Sequence, residues 1–112
     1  MAKIELKDFV KYGKLFEVYG KLLSEERQSV MTMYFDFNMT LVEIAKEKNV
    51  SRQAVLDSIE KSCLKLESYE KALGVCHKEE QLSLRLQTLK ALATKLEQTK
   101  IAEKVDDILK EI

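Results

Sequence analysis

The chain has 112 residues, 46% apolar and 34% charged, with 19 basic side chains balanced by 19 acidic ones. That length gives one domain, or one small domain with a helical extension, and no Pro with only three Gly favours long helices over short strands. A zero net charge excludes the overall basic excess of a dedicated duplex-DNA binder, and no apolar run approaches the ~20 residues needed to span a bilayer.

Glu5 to Leu22 reads as an amphipathic helix. Leu6, Phe9, Val10, Leu15, Phe16, Tyr19, Leu22 and Leu23 recur at three and four, with Lys7, Asp8, Lys11, Lys14 and Lys21 on the other side. Gly13 weakens this helix and offers a place for close helix approach. Ser24 caps the next helix, and Glu25 and Glu26 complement its positive end. Val30, Met31, Tyr34 and Phe35 supply its apolar side, which Phe37 is expected to close. The methionines and aromatics between Met31 and Met39 read as helical core rather than as a ligand pocket.

The chain is organised around the residues after Met39. Thr40 before Leu41-Val42-Glu43 has the spacing of a capping box. Ala45 is small where two crossed helices must come close, and Asn49 tolerates the left-handed turn. Ser51 caps a second helix, with Val55 and Ile59 facing inward. The pattern from Thr40 to Ile59 is that of a helix-turn-helix. Its second helix is expected to continue through Leu64, Leu66, Tyr69 and Leu73 until Gly74 breaks it, its later turns packing on the N-terminal helix or on the C-terminal residues.

Over residues 79–98, Leu82, Leu86, Leu89, Leu92, Ala93 and Leu96 form an apolar stripe. Thr99-Lys100 interrupts it, and Ile101, Val105, Ile108, Leu109 and Ile112 resume it, predicting two helices or one kinked helix. This exceeds what a minimal helix-turn-helix needs for cover. A symmetric homodimer is therefore expected, with Leu82, Leu86, Leu89, Leu92 and Leu96 at its interface. The domain organisation read from the sequence is a helical domain over 1–73, containing the motif at 40–66, and a C-terminal helical extension over 74–112.

Catalytic and metal chemistry find little support. The sole His77 beside Cys76 falls short of a tetrahedral ligand set, no third group orients a nucleophile, and no Gly-rich loop cradles phosphate. The expectation is a non-enzymatic protein with no cofactor and no metal. Cys63 and Cys76 form no Cys-x-x-Cys pair and no signal peptide is evident, so reduced thiols in the cytoplasm are expected. Nucleic-acid contact is the live possibility, since the second helix of such a motif enters the major groove. Its outward positions are Arg52, Gln53, Leu56 and Asp57, with Glu60 and Lys61 one turn on. Arg52 suits guanine, Gln53 adenine and Leu56 a thymine methyl, while Thr40, Lys48 and Ser51 suit phosphates. Against this, Asp57 and Glu60 place acids where a polyanion would approach.

Two nested family resemblances run through these residues. Leu23-Ser24, Arg27, Val30, Glu43-Ile44-Ala45, Val50-Ser51 and Val55 resemble region 4 of sigma factors. The narrower resemblance is to the YlxM family of small bacterial helix-turn-helix proteins. It is carried by Val50-Ser51-Arg52-Gln53-Ala54-Val55, Asp57, Ile59, Tyr69-Glu70-Lys71 and the opening Leu15 to Ser24, over roughly residues 12–73. Leu56 replaces an aromatic residue common in that family, and Glu60 stands where a basic one is common. The resemblance implies an all-α, sigma region 4-like helix-turn-helix domain with an N-terminal helix and a C-terminal helical extension. It further implies a cytoplasmic, often dimeric protein linked to the signal recognition particle, whose protein or RNA would be its partner. A DNA-binding regulatory role is the alternative it implies, and no membrane insertion is expected.

Overall fold

A computed structural model describes the backbone of residues 6–112 and the side chains of residues 8–112. The expected helix start at Glu5 and the side chains of Leu6 and Lys7 lie outside these described residues. Every regular element within them is helical: α1 (Leu6–Tyr19), α2 (Glu25–Met31), α3 (Leu41–Lys48), α4 (Arg52–Leu73), α5 (Val75–Lys95) and α6 (Thr99–Leu109). A 3-10 turn (Gly20–Leu22) follows α1, and α2 runs into a π-helical turn (Thr32–Asp36). The chain divides into two compact units, residues 1–74 and 75–112.

In the first unit α4 is the central rod, with α1, α2 and α3 packed on it. Val55, Ile59, Ser62, Cys63 and Leu66 form its buried face, and Leu15, Tyr19, Leu23, Val30, Met31, Ile44 and Ala45 are buried on the other elements. Three tyrosines, two carboxylates and a lysine tie α1 and its 3-10 turn to the far half of α4. Tyr12 donates to the Glu67 carboxylate, which also takes the Lys11 ammonium at 3.1 Å. Tyr19 donates to Glu70 at 2.6 Å, and Tyr69 donates to the Leu22 carbonyl at 3.5 Å. The Tyr12 bond, aided by Lys11, holds the Glu67 carboxyl below the usual range, although partial burial opposes this. Burial and the Glu67 bond raise the Tyr12 phenol, which therefore remains a donor at neutral pH.

A depressed folded-state carboxyl stabilises the fold above the ordinary Glu range and loses that contribution as pH falls through its own lower value. Stability followed by tyrosine fluorescence is therefore expected to fall more steeply below pH ~4.3 in the native chain than in Glu67→Gln. Parallel pH profiles for the two proteins would contradict this assignment.

The π-helical turn corrects one expectation. Phe37 donates its N–H to the Thr32 carbonyl at 3.1 Å, five residues back, and Met39 donates to Met33 at 3.0 Å. The wider turn rotates the chain out of α-helical register, so Phe37 is 68% exposed instead of closing the apolar side. Tyr34 and Phe35 do turn inward against Phe9, Tyr34 edge-on with ring centroids at 5.6 Å and Phe35 tilted at 4.8 Å. Close approach at a glycine falls at Gly20, where an added Cβ would lie 2.8 Å from the Phe16 ring. At Gly13 a Cβ would sit 3.6 Å from Phe35, an ordinary contact. Gly13→Ala is thus expected to raise stability by up to ~1 kcal/mol in denaturant unfolding. A loss of stability there would mean that the helices need the gap.

The second unit is a helical hairpin. α5 begins at Val75, directly after Gly74 and earlier than residue 79. Glu97, at φ 59°, lies in the connection, ahead of the polar pair Thr99-Lys100, which instead opens α6. α6 packs back on α5, and Lys90 Nζ meets Asp106 Oδ1 at 2.6 Å. Cys76, Ala93, Ala102 and Val105 are its buried residues. No described helix is long and apolar enough to cross a membrane.

Candidate functional site: the helix-turn-helix face

The geometry of the motif arises from short-range side-chain to backbone chemistry. Thr40 Oγ1 accepts the Glu43 N–H at 3.2 Å, and Glu43 Oε1 accepts the Thr40 N–H at 3.0 Å, completing the capping box. The same bonds hold the Glu43 carboxyl below its ordinary range. α3 ends at Asn49, in the left-handed region at φ 56° and ψ 47°, and Val50 donates back to the Ala45 carbonyl at 3.0 Å. Ser51 then starts α4, its Oγ accepting the Ala54 N–H at 3.0 Å. Beneath the turn Ile44, Val55 and Ile59 are essentially inaccessible, and Ala45 is 8% exposed.

This frame sets which residues face out. Arg52 and Gln53 are exposed in the first turn of α4, as are the capping residues Thr40 and Ser51. Each capping hydroxyl accepts a backbone N–H and so keeps its own O–H to offer an incoming acceptor. Leu56 and Asp57 are half-buried. Lys61 is exposed but bonded to Asp57 at 3.0 Å, and Lys48, only 20% exposed, lies 3.5 Å from Glu26 on α2. Among the described residues Arg52 has no carboxylate within ion-pairing distance. Glu60 differs from the outward placement its spacing suggests, for its Oε1 is enclosed and has no hydrogen-bond partner among the described residues. It lies on the α4 flank that carries Cys63 and Glu67, whose next turn meets α1.

Leu82, Leu89, Leu92 and Leu96 of the expected dimer stripe are exposed in the hairpin, while Leu86 is half-buried. The described residues contain no group of three or more side chains able to hold a metal ion. A cleft of about 340 Å³ opens between α1 and the π-helical turn, lined by Gly13, Phe16, Glu17, Gly20, Lys21, Gln28, Thr32 and Asp36. Periodicity gave no sign of it, because a π-helical turn has no apolar repeat of its own. The Tyr–Glu ties between α1 and α4 were equally hidden, their partners standing 51 and 55 residues apart.

Burial, reinforced by the Glu67 and Glu60 carboxylates, pushes the Cys63 thiol up to about 12. Cys63 is therefore a packing residue. It is expected to react with a disulfide reagent only when denaturant opens the first unit, and rapid labelling of Cys63 in the native chain would contradict this.

Comparison with known proteins places these features in context. The family model described as "Putative helix-turn-helix protein, YlxM / p13 like" (UPF0122) matches residues 6–108. A UPF0122 protein of Fusobacterium nucleatum is 37% identical over 98 residues, covering 88% of this chain and 95% of that protein. One from Halalkalibacterium halodurans is 42% identical over 81 residues, covering 72% and 74%. One from Desulforamulus reducens is 38% identical over 81 residues, covering 72% and 69%. No solved structure matches the chain significantly.

Proposed function

Because the chain belongs to the UPF0122 family of YlxM-like helix-turn-helix proteins, we propose that it is a non-enzymatic, cytoplasmic accessory component of the signal recognition particle pathway. In this reading the first turn of α4 binds the particle's protein or its RNA. The observation that carries it is the state of the cations on that face. Lys48 and Lys61, two of the three basic side chains placed to meet a nucleic acid, are occupied by Glu26 and Asp57. Of these three, Arg52 alone has no carboxylate within ion-pairing distance among the described residues. One such group is too few for the phosphate neutralisation that supplies most duplex affinity, but it is enough to anchor a protein surface or a folded RNA loop.

The test is capture from native extract at low salt, with and without nuclease. The particle's GTPase or its RNA should be retained, and nuclease treatment separates the two. Retention of neither would contradict the proposal.

A DNA-binding regulator is the second reading, and a specific observation favours it: Ser51 starts α4 so that Arg52 and Gln53 stand at the helix end that a recognition helix presents to base edges. It requires a genome-wide binding selection to enrich a defined sequence. It also requires log affinity to fall steeply with log salt, by roughly 0.9 per phosphate neutralised.

A further inference from the structure

The cleft between α1 and the π-helical turn owes its existence to backbone geometry. Gly13, Phe16, Glu17 and Gly20 follow one another at helical spacing on one face of α1 and its 3-10 turn, and the two glycines leave that face bare at both ends. Across the gap, Gln28, Thr32 and Asp36 recur at every fourth residue from α2 into the π-helical turn. Phe37, exposed beyond the turn, is not among the side chains that line it. What remains is a cleft of about 340 Å³, at the small end of the range for ligand sites. Turns of the π-helical kind are rare and recur at functional sites.

The lining sorts by chemistry. The Phe16 ring supplies an aromatic surface, with Phe35 behind it at a centroid distance of 6.3 Å and Gly20 beside it, where a Cβ would not fit. Gln28 uses its Nε2 on the Leu23 carbonyl at 2.8 Å, which leaves Oε1 to accept, and Thr32 adds a hydroxyl. Glu17, Asp36 and Lys21 are exposed, and two carboxylates against one ammonium give the lining a net charge of −1. None of the three has an ion-pair partner among the described residues. An anion would meet two like charges here, and an apolar ligand would gain nothing from the carboxylates. A flat cation that donates in several directions uses the whole set, lying on the ring and meeting acceptors around its edge. A guanidinium has that form, with five N–H donors in a plane, weak hydration and an attraction to aromatic faces. An ammonium is a compact, strongly hydrated point charge.

We propose that this cleft binds a guanidinium group, lying against Phe16 with the Glu17 and Asp36 carboxylates as its main acceptors. The group has two sources, an arginine side chain of a polypeptide or free arginine, and Lys21 separates them. Its ammonium repels the guanidinium in both cases, but only free arginine brings an α-carboxylate for it to pair with. The proposal is independent of what the first turn of α4 binds.

Amide spectra of the isotope-labelled full chain test it, because two of its three glycines line the cleft and the third, Gly74, ends α4. Titration with N-acetylarginine methylamide to about 50 mM, well beyond the ~1 mM constant ordinary for so small a ligand, should move Gly13 and Gly20 saturably and leave Gly74 in place. The N-acetylcitrulline analogue, equal in shape but uncharged, should move none of them. Glu17→Gln and Asp36→Asn, both exposed, should each weaken binding several-fold, and Lys21→Ala should tighten it. Free arginine then identifies the source. Tighter binding than the blocked form assigns the free amino acid, and Lys21→Ala should remove the difference; equal or weaker binding assigns a polypeptide side chain. No saturable movement of Gly13 and Gly20 with either form of arginine would overturn the proposal. So would equal binding of the citrulline analogue, or unchanged affinity when Glu17→Gln and Asp36→Asn are combined.

Discussion

Truncating Ile59 to Ala is expected to cost about 3 kcal/mol of stability, the middle of the range for emptying a closed aliphatic site. Ile59 is 0% exposed on the central rod α4, on which α1, α2 and α3 pack. Its neighbours Val55 and Leu66 on that helix are equally enclosed, so the surrounding side chains have little freedom to collapse into the gap. In a domain of this size such a loss lowers the melting temperature by roughly 12 °C or more. All four tyrosines, Tyr12, Tyr19, Tyr34 and Tyr69, lie in the first unit and the chain has no Trp, so tyrosine fluorescence reports on that unit alone. A loss below about 1 kcal/mol would mean that the site is less well packed than its burial indicates.

The second large effect is on binding. Arg52→Ala is expected to weaken the ligand complex by ~1–3 kcal/mol while leaving the melting temperature unchanged. The stability half of this expectation comes from position. Arg52 is exposed, has no ion-pair partner among the described residues, and sits one residue after a cap that the Ser51 hydroxyl supplies without it. The binding half rests on the proposed role of the α4 first turn. Lys61→Ala is the internal comparison, because its ammonium is bonded to Asp57 and its loss should change affinity little.

What the sequence disclosed divides according to the range of the interactions involved. The capping box at Thr40, the left-handed Asn49 and the Ser51 cap are bonds between groups three residues apart or fewer, or the backbone preference of a single residue. Residue identity at fixed spacing is enough to specify them. Gly74 ending α4 belongs to the same class, its φ of 65° favouring a residue without Cβ. Glu60 and Phe37 were misplaced for related reasons. Helical spacing puts Glu60 outward only if nothing covers that flank of α4, and its Oε1 is in fact enclosed. Phe37 keeps its expected face only if the helix before it retains 3.6 residues per turn, and the π-helical turn does not. The cleft at that turn and the Tyr12–Glu67 and Tyr19–Glu70 bonds depend on which helices meet, information that no local spacing carries.

The same division applies to the proposed binding face. Its outline was legible, since Arg52 and Gln53 stand exposed where the motif requires them. Its electrostatics were not, because Lys48 is engaged by Glu26 from a different helix, well before it in the chain. That pairing crosses from α3 to α2, and spacing within the motif carries no sign of it.

The most direct test of α4's first turn as the recognition surface is a paired measurement on Arg52→Ala: affinity for the signal recognition particle's GTPase and for its RNA, and thermal unfolding followed by tyrosine fluorescence. At least a fivefold loss of affinity is predicted for one of the two, in keeping with ~1 kcal/mol or more, with unfolding superimposable on that of the native chain. Undiminished affinity for a partner that the native chain binds would contradict this, and the recognition surface would then have to lie elsewhere on the chain.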